Sequence, residues 1–218
     1  MKISPKTLEI LNNFSSIYQS IILRPGNVVR TGTPNLDLFA SATITESVEN
    51  EVGIYNLKKF LSILSLFKGS DPDVEFTPTH AVISTGKRNI QYTLSDQTLI
   101  KGAPSKDPAV PEPVTTFPVN AEELDNATKA LSVLELPELI FSVSSEGVFI
   151  KAANIKNTSK DKYSFRISDA PEGVADVDVR IPKNSFKMLE RDYVVSVHPS
   201  YVKLENPDVS YWIPALAD

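Results

Sequence analysis

Apolar residues recur at helical spacing in several stretches of this chain. In residues 4–17, the inward side of the predicted helix consists of Thr7, Ile10, Leu11, Phe14 and Ile17. Ser4 suits the N-cap of this helix, and Pro5 suits its first turn, where a missing N–H costs nothing. The same period predicts further helices at residues 56–67, 120–134 and 182–190.

Short β-prone runs, separated by turn residues, lie between these helices. In the first half of the chain they predict strands at residues 20–23, 27–31, 39–44, 51–55, 74–77, 81–84 and 89–94. In the second half they predict strands at residues 139–144, 148–152, 163–167, 175–181, 194–198, 201–205 and 210–213. This mixture of helices and strands indicates an α+β fold.

A proline-rich stretch near the middle of the chain separates the two halves. Residues 102–118 contain prolines at positions 104, 108, 111, 113 and 118 and have no hydrophobic period. Such a stretch is typical of an extended connector between domains. We therefore predict a first domain at residues 1–101, a linker at residues 102–118 and a second domain at residues 119–218.

The order of predicted elements is the same on both sides of this linker. Each half begins with a helix, continues with strands, and has a short helix before its last strands. Gly26 aligns with Gly147 at a shift of 121 residues, and Ile54 aligns with Ile181 at a shift of 127 residues. The sequence thus predicts two copies of one α+β domain.

Composition and charge exclude only a few functional classes. Hydrophobic residues make up 41% of the 218 residues and charged residues 22%, which are ordinary fractions for a globular domain. The chain has no cysteine, which excludes disulfides, thiol catalysis and cysteine-ligated metals. No apolar run approaches the roughly 20 residues of a membrane-spanning helix. The net charge of -5 argues against nucleic-acid binding unless the cations are gathered on one face.

The sequence offers no set of residues that would carry out catalysis. Its only histidines, His80 and His198, occupy similar strand ends in the two repeats, which indicates a structural role. Neither a phosphate-binding glycine loop nor a serine nucleophile motif is present. Asp176 and Asp178 would share one face of a strand and so suit a metal, but no third ligand type is recognisable near them. We therefore predict no catalytic residue, no metal and no cofactor.

Basic residues are concentrated on the predicted helices, largely away from their apolar sides. Lys58, Lys59 and Lys68 lie in or beside the second helix with no acidic residue among them. The other helices carry, or are followed by, Lys6, Lys129, Lys183, Lys187 and Arg191. A solvated helix face is the ordinary interpretation of such charges. If all four helices faced one surface, that surface could instead meet phosphate groups without reading bases.

Several segments of the chain resemble a known family. Residues 52–67, Val-Gly-Ile-Tyr-Asn-Leu-Lys-Lys-Phe-Leu-Ser-Ile-Leu-Ser-Leu-Phe, are similar to the corresponding segment of sliding clamps from T-even-type bacteriophages. The opening Met-Lys-Ile-Ser, the run Asn-Phe-Ser-Ser-Ile at residues 13–17 and the ending Ser-Tyr-Trp-Ile-Pro-Ala-Leu-Ala-Asp at residues 210–218 fit the same family. None of these segments is a catalytic signature, so the resemblance rests on their summed similarity.

The resemblance implies an α+β DNA clamp fold, with two similar domains that each pack two helices on antiparallel sheets. Clamps of this type are homotrimers whose six domains form a ring, with helices around the central hole. An ATP-driven clamp loader places the ring on double-stranded DNA, where it tethers the replicative DNA polymerase and couples to late transcription. The implied location is the cytoplasm of the infected bacterial host, with no cofactor, no enzymatic activity and no membrane.

The resemblance also assigns two sets of residues by position. Those that would face DNA in the central hole are Lys6, Lys58, Lys59, Lys129, Lys183, Lys187 and Arg191. Those that would line a pocket for short hydrophobic peptides of partner proteins are Leu36, Val110, Trp212, Pro214 and Ala215. A core tryptophan is the alternative for Trp212. Edge strands at residues 89–94 and 163–167 would join the subunits head to tail.

The third predicted helix departs from the expected charge pattern. It begins Glu122-Glu123-Leu124-Asp125 and is balanced only by Lys129. Acidic residues in a first turn suit the helix dipole, but they make a poor surface for phosphate groups. We therefore expect weak, strongly salt-dependent contact with DNA, so that the closed ring itself keeps the protein on DNA.

Two functions from other classes stay open at this point. A two-domain structural or assembly protein of a virion would share the β-rich repeat, but its lysines would be scattered. A hydrolase on a duplicated β-rich fold would need a convergent nucleophile, base or metal site, which the sequence does not offer.

Overall fold

The computed structural model describes residues 1–157, 161–170, 173 and 176–216. The chain divides into two compact units, Met1–Asp107 and Pro108–Asp218. This division falls inside the stretch predicted as a linker. Both units combine helical segments with antiparallel sheets, so the α+β class is confirmed. No helix among these residues combines the length and the apolarity needed to cross a bilayer.

The first unit starts with a helix and returns to helix before its last sheet. Its helices are α1 (Pro5–Ile17) and α2 (Leu57–Ser65). Its strands are β1 (Ile21–Leu23), β2 (Gly26–Gly32), β3 (Phe39–Val48), β4 (Val52–Ile54), β5 (Asp73–Phe76), β6 (His80–Thr85) and β7 (Arg88–Thr93). Strand β1 pairs with β4 and β2 with β3, while β5, β6 and β7 form an antiparallel sheet in that order.

Helix α1 begins where the sequence predicts. The Ser4 hydroxyl oxygen accepts a hydrogen bond from the Thr7 N–H at 3.2 Å, and Pro5 occupies the first turn. The Glu46 carboxylate on β3 reaches the same helix end, where it accepts hydrogen bonds from the Ser4 N–H and the Thr7 hydroxyl. The predicted inward residues of α1 are all buried. The helix is therefore held to the strands both through its apolar side and at its N-terminus.

Helix α2 is fixed on the sheet formed by β5, β6 and β7. The Tyr92 hydroxyl on β7 donates to the Asn56 carbonyl at 3.2 Å and accepts from the Asn56 N–H at 3.3 Å. The ring of Phe60 is fully buried and lies 5.4 Å from the Tyr92 ring and 6.3 Å from the Phe76 ring, measured between centroids. These contacts determine the rotation of α2 and leave Lys58 on its solvent side.

The second unit repeats this order with differences. Its helix is α3 (Ala121–Val133). Its strands are β8 (Thr115–Val119), β9 (Glu138–Ser144), β10 (Gly147–Ala153), β11 (Tyr163–Ser168), β12 (Val177–Pro182), β13 (Tyr193–His198), β14 (Tyr201–Glu205) and β15 (Val209–Pro214). One sheet has the order β11-β10-β9-β12, and β15, β14, β13 and β8 are neighbours in another. The predicted strand start at Ala175 lies outside the described residues.

The connector between the units is shorter than predicted, because β8 begins at Thr115, inside residues 102–118. Strand β8 pairs antiparallel with β13, and Pro118 is tolerated because β8 is an edge strand. The density of prolines at residues 104–118 hid the β-prone run Thr-Thr-Phe at residues 115–117.

The fourth predicted helix, at residues 182–190, is wrong. Strand β12 runs to Pro182, a single 3-10 turn follows at Lys183–Ser185, and the chain then continues without regular structure. No side chain caps this turn. Instead, tyrosine hydroxyls satisfy the backbone of Leu189, whose carbonyl accepts from Tyr193 at 2.8 Å and whose N–H donates to Tyr211 at 3.3 Å. The second unit therefore has a 3-10 turn where the first has α2.

The two glycines that align in the sequence occupy equivalent places. Gly26 starts β2 with φ of 107°, and Gly147 starts β10 with φ of 135°. A Cβ at Gly147 would come within 2.6 Å of the Ser168 carbonyl oxygen, so glycine is required there by sterics as well as by φ. Ile54 and Ile181, the other aligned pair, are both fully buried, on β4 and β12. The repeat seen in the sequence is therefore a repeat of structure.

Candidate functional site

The solvent side of α2 carries the clearest group of cations. Lys58 and Lys59 lie in its first turn and are exposed, beside the fully buried Leu57 and Phe60. Among the described residues, no acidic side chain forms a salt bridge with either lysine. Cations in a first turn oppose the helix dipole, so these lysines do not stabilise the helix. Their position is therefore better explained by an anionic ligand than by the fold.

A groove of about 800 Å³ runs between α1 and α2, and Lys58 and Lys68 lie on its walls. Its apolar floor includes Leu8 and Leu61. Lys6, the cation predicted on α1, is half-buried and does not line this groove. The structure thus brings Lys58 together with Lys68, which the resemblance did not assign to DNA, rather than with Lys6.

The cations of the second unit are largely engaged with acids. Lys129 forms a salt bridge with Asp125 one turn earlier on α3, and this hydrogen bond raises the pKa of Lys129. Arg191 forms a salt bridge with Asp208. Lys183 is exposed on the 3-10 turn, and Lys187 is half-buried in the irregular stretch after it. The seven predicted DNA-facing residues therefore differ in availability. Of these seven, Lys58, Lys59 and Lys183 are exposed and form no salt bridge with any acid in the part of the chain that the structure describes.

The acidic first turn of α3 has a structural role. The Asn120 side chain accepts from the Glu123 N–H at 2.8 Å, and the Glu123 carboxylate accepts from the Asn120 N–H at 3.1 Å. This reciprocal capping box gives hydrogen-bond partners to two backbone N–H groups at the start of the helix. Partial burial, followed by the negative charge of Glu123, raises the pKa of the Tyr163 hydroxyl on β11. The acidic turn therefore lies close to the start of β11.

A shallow groove of about 280 Å³ in the second unit contains one of the predicted peptide-binding residues. Val110 lines it together with Tyr201 and Lys203 of β14. The Tyr201 hydroxyl donates to the Pro111 carbonyl at 2.6 Å, which holds the extended residues around Val110 against the sheet. Burial, followed by the charge of Glu112, raises the pKa of this hydroxyl. The groove has an apolar wall and a fixed strand-like backbone, and its charged residues are Glu112 and Lys203, which forms a salt bridge with Glu205 at 2.6 Å.

The predicted pocket residues at the end of the chain lie beside this groove, with one correction. Trp212 is buried, with only 7% of its surface exposed, and the Lys203 ammonium sits 5.2 Å from the centroid of its ring. It is therefore a core residue, and Lys203 covers it from the groove side. Pro214 is exposed and lies opposite Tyr201 in the strand register, and the Ala215 N–H donates to Ser200 at 3.0 Å.

Leu36, the fifth predicted pocket residue, lies in the first unit. It is exposed and has φ of 58°, an unusual conformation for a branched side chain. Its N–H donates to the Thr33 carbonyl at 2.9 Å, so a tight turn holds this side chain outward. A large apolar side chain that is exposed to solvent from an unfavourable backbone conformation suits a contact surface.

The residues considered for catalysis or metal binding make local contacts. His80 contacts the Thr79 hydroxyl at 2.8 Å, and His198 contacts the Ser200 hydroxyl at 2.9 Å. Asp176 accepts from the Ser145 N–H at 3.2 Å. Within the part of the chain that the structure describes, no three histidine, aspartate or glutamate side chains form a cluster suited to a metal.

Sequence reasoning missed Tyr201 and Lys203 as groove residues. Their neighbours in the groove, Val110 and Pro111, lie 91 and 90 residues before Tyr201. The Tyr201 hydroxyl donates to the Pro111 carbonyl across that separation, so no local pattern could join these residues. Lys203 is one of several lysines on predicted strands, and only its place over Trp212 distinguishes it.

Comparison with known proteins finds similar sequences among phage sliding clamps. The model of a family described as DNA polymerase processivity factor matches residues 2–103. The chain is 27% identical to the sliding clamp of Vibrio phage KVP40, over 92% of this chain and 91% of that relative. It is 26% identical to the sliding clamp of Escherichia phage RB69, over 100% of this chain and 98% of that relative. The chain is thus similar to phage sliding clamps along nearly its whole length. These matches support the resemblance to T-even-type phage sliding clamps seen in the sequence.

Solved structures give the same fold. A PCNA from A. fulgidus, bound to the C-terminal region of FEN-1, has a TM-score of 0.73 at 15% identity, over 99% of this chain and 98% of that chain. A PCNA from Entamoeba histolytica has a TM-score of 0.71 at 10% identity, over 96% and 94%. A Helicobacter pylori beta clamp bound to a DNA ligase peptide has a TM-score of 0.68 at 17% identity, over 100% and 66%. The chain therefore has the DNA clamp fold.

Proposed function

We propose that this protein is a sliding clamp, a ring-shaped processivity factor that encircles double-stranded DNA and tethers the replicative DNA polymerase. It carries out no chemistry and reads no DNA sequence. The observation that carries this proposal is the sequence similarity to two phage sliding clamps, which extends over 92% and 100% of the chain. The unpaired lysines in the first turn of α2 support it, because they offer phosphate groups a cation at a place where the helix itself gains nothing.

The ring would consist of three copies of the chain, joined head to tail through edge strands. Strand β7 ends the sheet of the first unit and β11 ends a sheet of the second, and both match the edges predicted at residues 89–94 and 163–167. In the infected bacterial cell, an ATP-dependent clamp loader would open and close this ring on DNA. Late-transcription factors would be further partners of the closed ring.

Partner proteins would bind through short apolar peptides in the groove beside Val110, Tyr201 and Lys203. Two of the similar structures are clamps with a bound peptide or C-terminal region of a DNA-processing enzyme. An apolar wall next to an extended backbone suits a short hydrophobic peptide.

The decisive experiment combines mass and processivity. Light scattering after size exclusion should give about 72 kDa, three times the 24.0 kDa chain, at concentrations where the ring is closed. On a long primed single-stranded circle, the polymerase and clamp loader of the same genome should make far longer products when this protein and ATP are present. Linearising the circle should shorten the retention of the clamp, because a ring slides off a free end.

Two results would contradict the proposal. A protein that stays monomeric at every concentration would remove the encircling mechanism. A trimer that leaves the product length unchanged with its own polymerase and loader would instead favour a structural protein of the virion.

A further inference from the structure

The groove between α1 and α2 has an apolar floor that duplex DNA would not use. The groove encloses about 800 Å³, and Leu8 of α1 and Leu61 and Leu64 of α2 are among its lining residues. Leu8 is only half-buried, so the floor is open to solvent. A DNA duplex presents charged phosphate groups to such a surface and has no apolar face to set against it. The floor therefore indicates a ligand that has apolar side chains.

Two lysines lie at opposite ends of this groove. Lys58 is in the first turn of α2, and Lys68 follows the end of the helix, ten residues further along the chain. Both are exposed, and neither forms a salt bridge with an acid within the described ranges. Asp71, an acid that lines the groove, is paired with Lys2 at 2.6 Å. The groove therefore presents two cations, which the rise of a helix separates by about 15 Å.

The uncharged polar side chains along the groove are engaged with their own helices. The Ser62 hydroxyl donates to the Lys58 carbonyl at 2.8 Å, and the Ser65 hydroxyl donates to the Ser62 carbonyl at 2.7 Å. The Asn12 side-chain amide donates to the Leu8 carbonyl at 2.7 Å. Recognition of a ligand would therefore depend on the apolar floor and on the two lysines.

The spacing of the lysines selects one class of ligand. A fatty acid or another amphiphile with one anionic head would pair with one lysine and leave the other without a partner. An amphipathic helix can lie in a groove of this kind with its apolar side on the floor and an acidic residue at each end. We propose that the groove between α1 and α2 binds an amphipathic helical segment of a partner protein, whose acidic residues, about three helical turns apart, pair with Lys58 and Lys68.

The bound segment would compete with DNA, because both would use Lys58. This competition rests on the proposed function, in which the lysines of α2 meet phosphate groups. A duplex that contacts the first turn of α2 would exclude a helix lying along α2, and the helix would exclude the duplex. The groove would thus allow a partner protein to hold the clamp only while the clamp is free of DNA.

The first test uses two synthetic peptides as probes. One is a fluorescently labelled helix with leucines along one side and a glutamate at each end, at the ten-residue spacing of Lys58 and Lys68. The other has glutamine in place of both glutamates. Fluorescence anisotropy should show that the glutamate peptide binds about tenfold more tightly than the glutamine peptide, as two exposed ion pairs would give. Equal affinities of the two peptides would overturn the pairing with the lysines.

Variants of the protein locate the site. Lys58→Ala and Lys68→Ala should each weaken binding of the glutamate peptide by about threefold and leave the glutamine peptide unaffected. Lys59→Ala is the matched control, because Lys59 is exposed in the same turn as Lys58 but does not line the groove. It should leave both affinities unchanged. A loss in Lys59→Ala equal to that in Lys58→Ala would overturn the site, since it would show unspecific attraction to the helix.

The apolar floor needs a variant of its own. Leu8→Gln replaces a half-buried leucine by a residue that also favours a helix, and it should weaken both peptides. Thermal unfolding checks that this variant is folded. If it does not fold, the lysine variants still decide the proposal. A folded Leu8→Gln protein that binds both peptides as the wild type does would overturn the role of the floor.

Competition experiments identify the class of ligand. An excess of duplex DNA should displace the glutamate peptide from the wild-type protein, whereas simultaneous binding of the two would overturn the competition. Sodium laurate serves as the amphiphile with a single anionic head and should bind no more tightly to the wild type than to Lys68→Ala. Binding of laurate in the groove without binding of the glutamate peptide would overturn the helical ligand.

The outcomes also separate this inference from the proposed function. A trimer that raises product length on primed circles but does not bind the glutamate peptide would overturn the inference and leave the clamp function intact. A protein that binds this peptide through Lys58 and Lys68 but stays monomeric and leaves product length unchanged would retain the groove as a binding site. The second result would overturn the clamp function and, with it, the competition with DNA.

Discussion

At the scale of single residues, Glu46 shows how one carboxylate fixes a helix. It accepts hydrogen bonds from the Ser4 N–H and the Thr7 hydroxyl at the start of α1. Partial burial raises the pKa of the Glu46 carboxyl, but these hydrogen bonds outweigh it and hold the pKa below the ordinary value of 4.5. A lowered folded-state pKa stabilises the fold above the unfolded-state pKa, and this contribution is lost as the pH falls through the folded-state pKa.

We therefore expect Glu46→Gln to lower the free energy of unfolding by about 1.5–3 kcal/mol at pH 7, the range for hydrogen bonds to a charged group. The difference from wild type should shrink as the pH falls from 4.5 through the lowered pKa of the folded-state carboxyl, because that carboxyl is then protonated too. Urea unfolding across this pH range measures both effects. Glu49→Gln, at an exposed carboxylate near the end of β3, is the control. A loss of stability that is the same at every pH would contradict the role of the charge.

At the scale of elements, α2 and α3 look alike in the sequence but differ in the charge that their first turns present to solvent. Both begin at an asparagine cap and bury one apolar side. The first turn of α2 has two exposed lysines, whereas the first turn of α3 has acids that close a capping box. Lys129, the lysine of α3, is held by Asp125. DNA contact should therefore depend on α2 far more than on α3.

Replacing Lys58 and Lys59 together by alanine should weaken binding to duplex DNA and reduce the slope of log affinity against log salt by about 1 for each lysine that contacts a phosphate. Lys129→Ala, whose cation is already paired, should leave the slope unchanged. Fluorescence anisotropy of a labelled duplex across a salt series measures both variants. Thermal unfolding should show no loss of stability in the double variant, because the removed charges oppose the helix dipole. Equal effects of the two variants would contradict this ranking.

The sequence predicted α1, α2 and α3 because their apolar spacing and capping residues are local signals. It failed at residues 182–190, where apolar spacing was present but a cap was not, and where the hydroxyls of Tyr193 and Tyr211 satisfy the backbone. It also missed β8, because prolines on both sides hid a strand that is defined by its pairing with β13. Both errors come from contacts between residues far apart in the chain.

The candidate site was predictable to a similar degree. Exposed lysines on α2 followed from the helical period alone. The sequence did not reveal that Asp208 neutralises Arg191, because Asp208 lies 17 residues further along the chain, beyond β13 and β14. The burial of Trp212 and its cover by Lys203 depend on the register of β14 with β15, which the sequence does not reveal.

At the scale of the whole molecule, assembly and partner binding should be separable. The edges at β7 and β11 carry the proposed contact between copies, whereas the groove beside Val110 carries the proposed contact with peptides. No residue lining the groove belongs to either edge strand. A variant that blocks the groove should therefore still form the ring.

Val110→Glu should abolish most of the gain in product length on primed circles, because a carboxylate beside Lys203 replaces the apolar wall of the groove. Its mass in solution should remain that of the trimer. Val194→Glu, which changes another exposed valine of the second unit, is the matched control and should keep the gain. Loss of the trimer in Val110→Glu, or an equal loss of activity in both variants, would contradict this separation.

The pairing of Lys129 with Asp125 and of Arg191 with Asp208 has a consequence for how DNA would move. In the proposed ring of six units, three sectors with two exposed α2 lysines each would alternate with three sectors in which Lys129 and Arg191 are paired with acids and Lys183 stays exposed. A duplex would then rest off the axis, against one attractive sector at a time. Within the hole, the duplex would move among three positions of equal free energy. Added salt would lower the free-energy barriers between these positions, because it screens the attraction between lysines and phosphate groups.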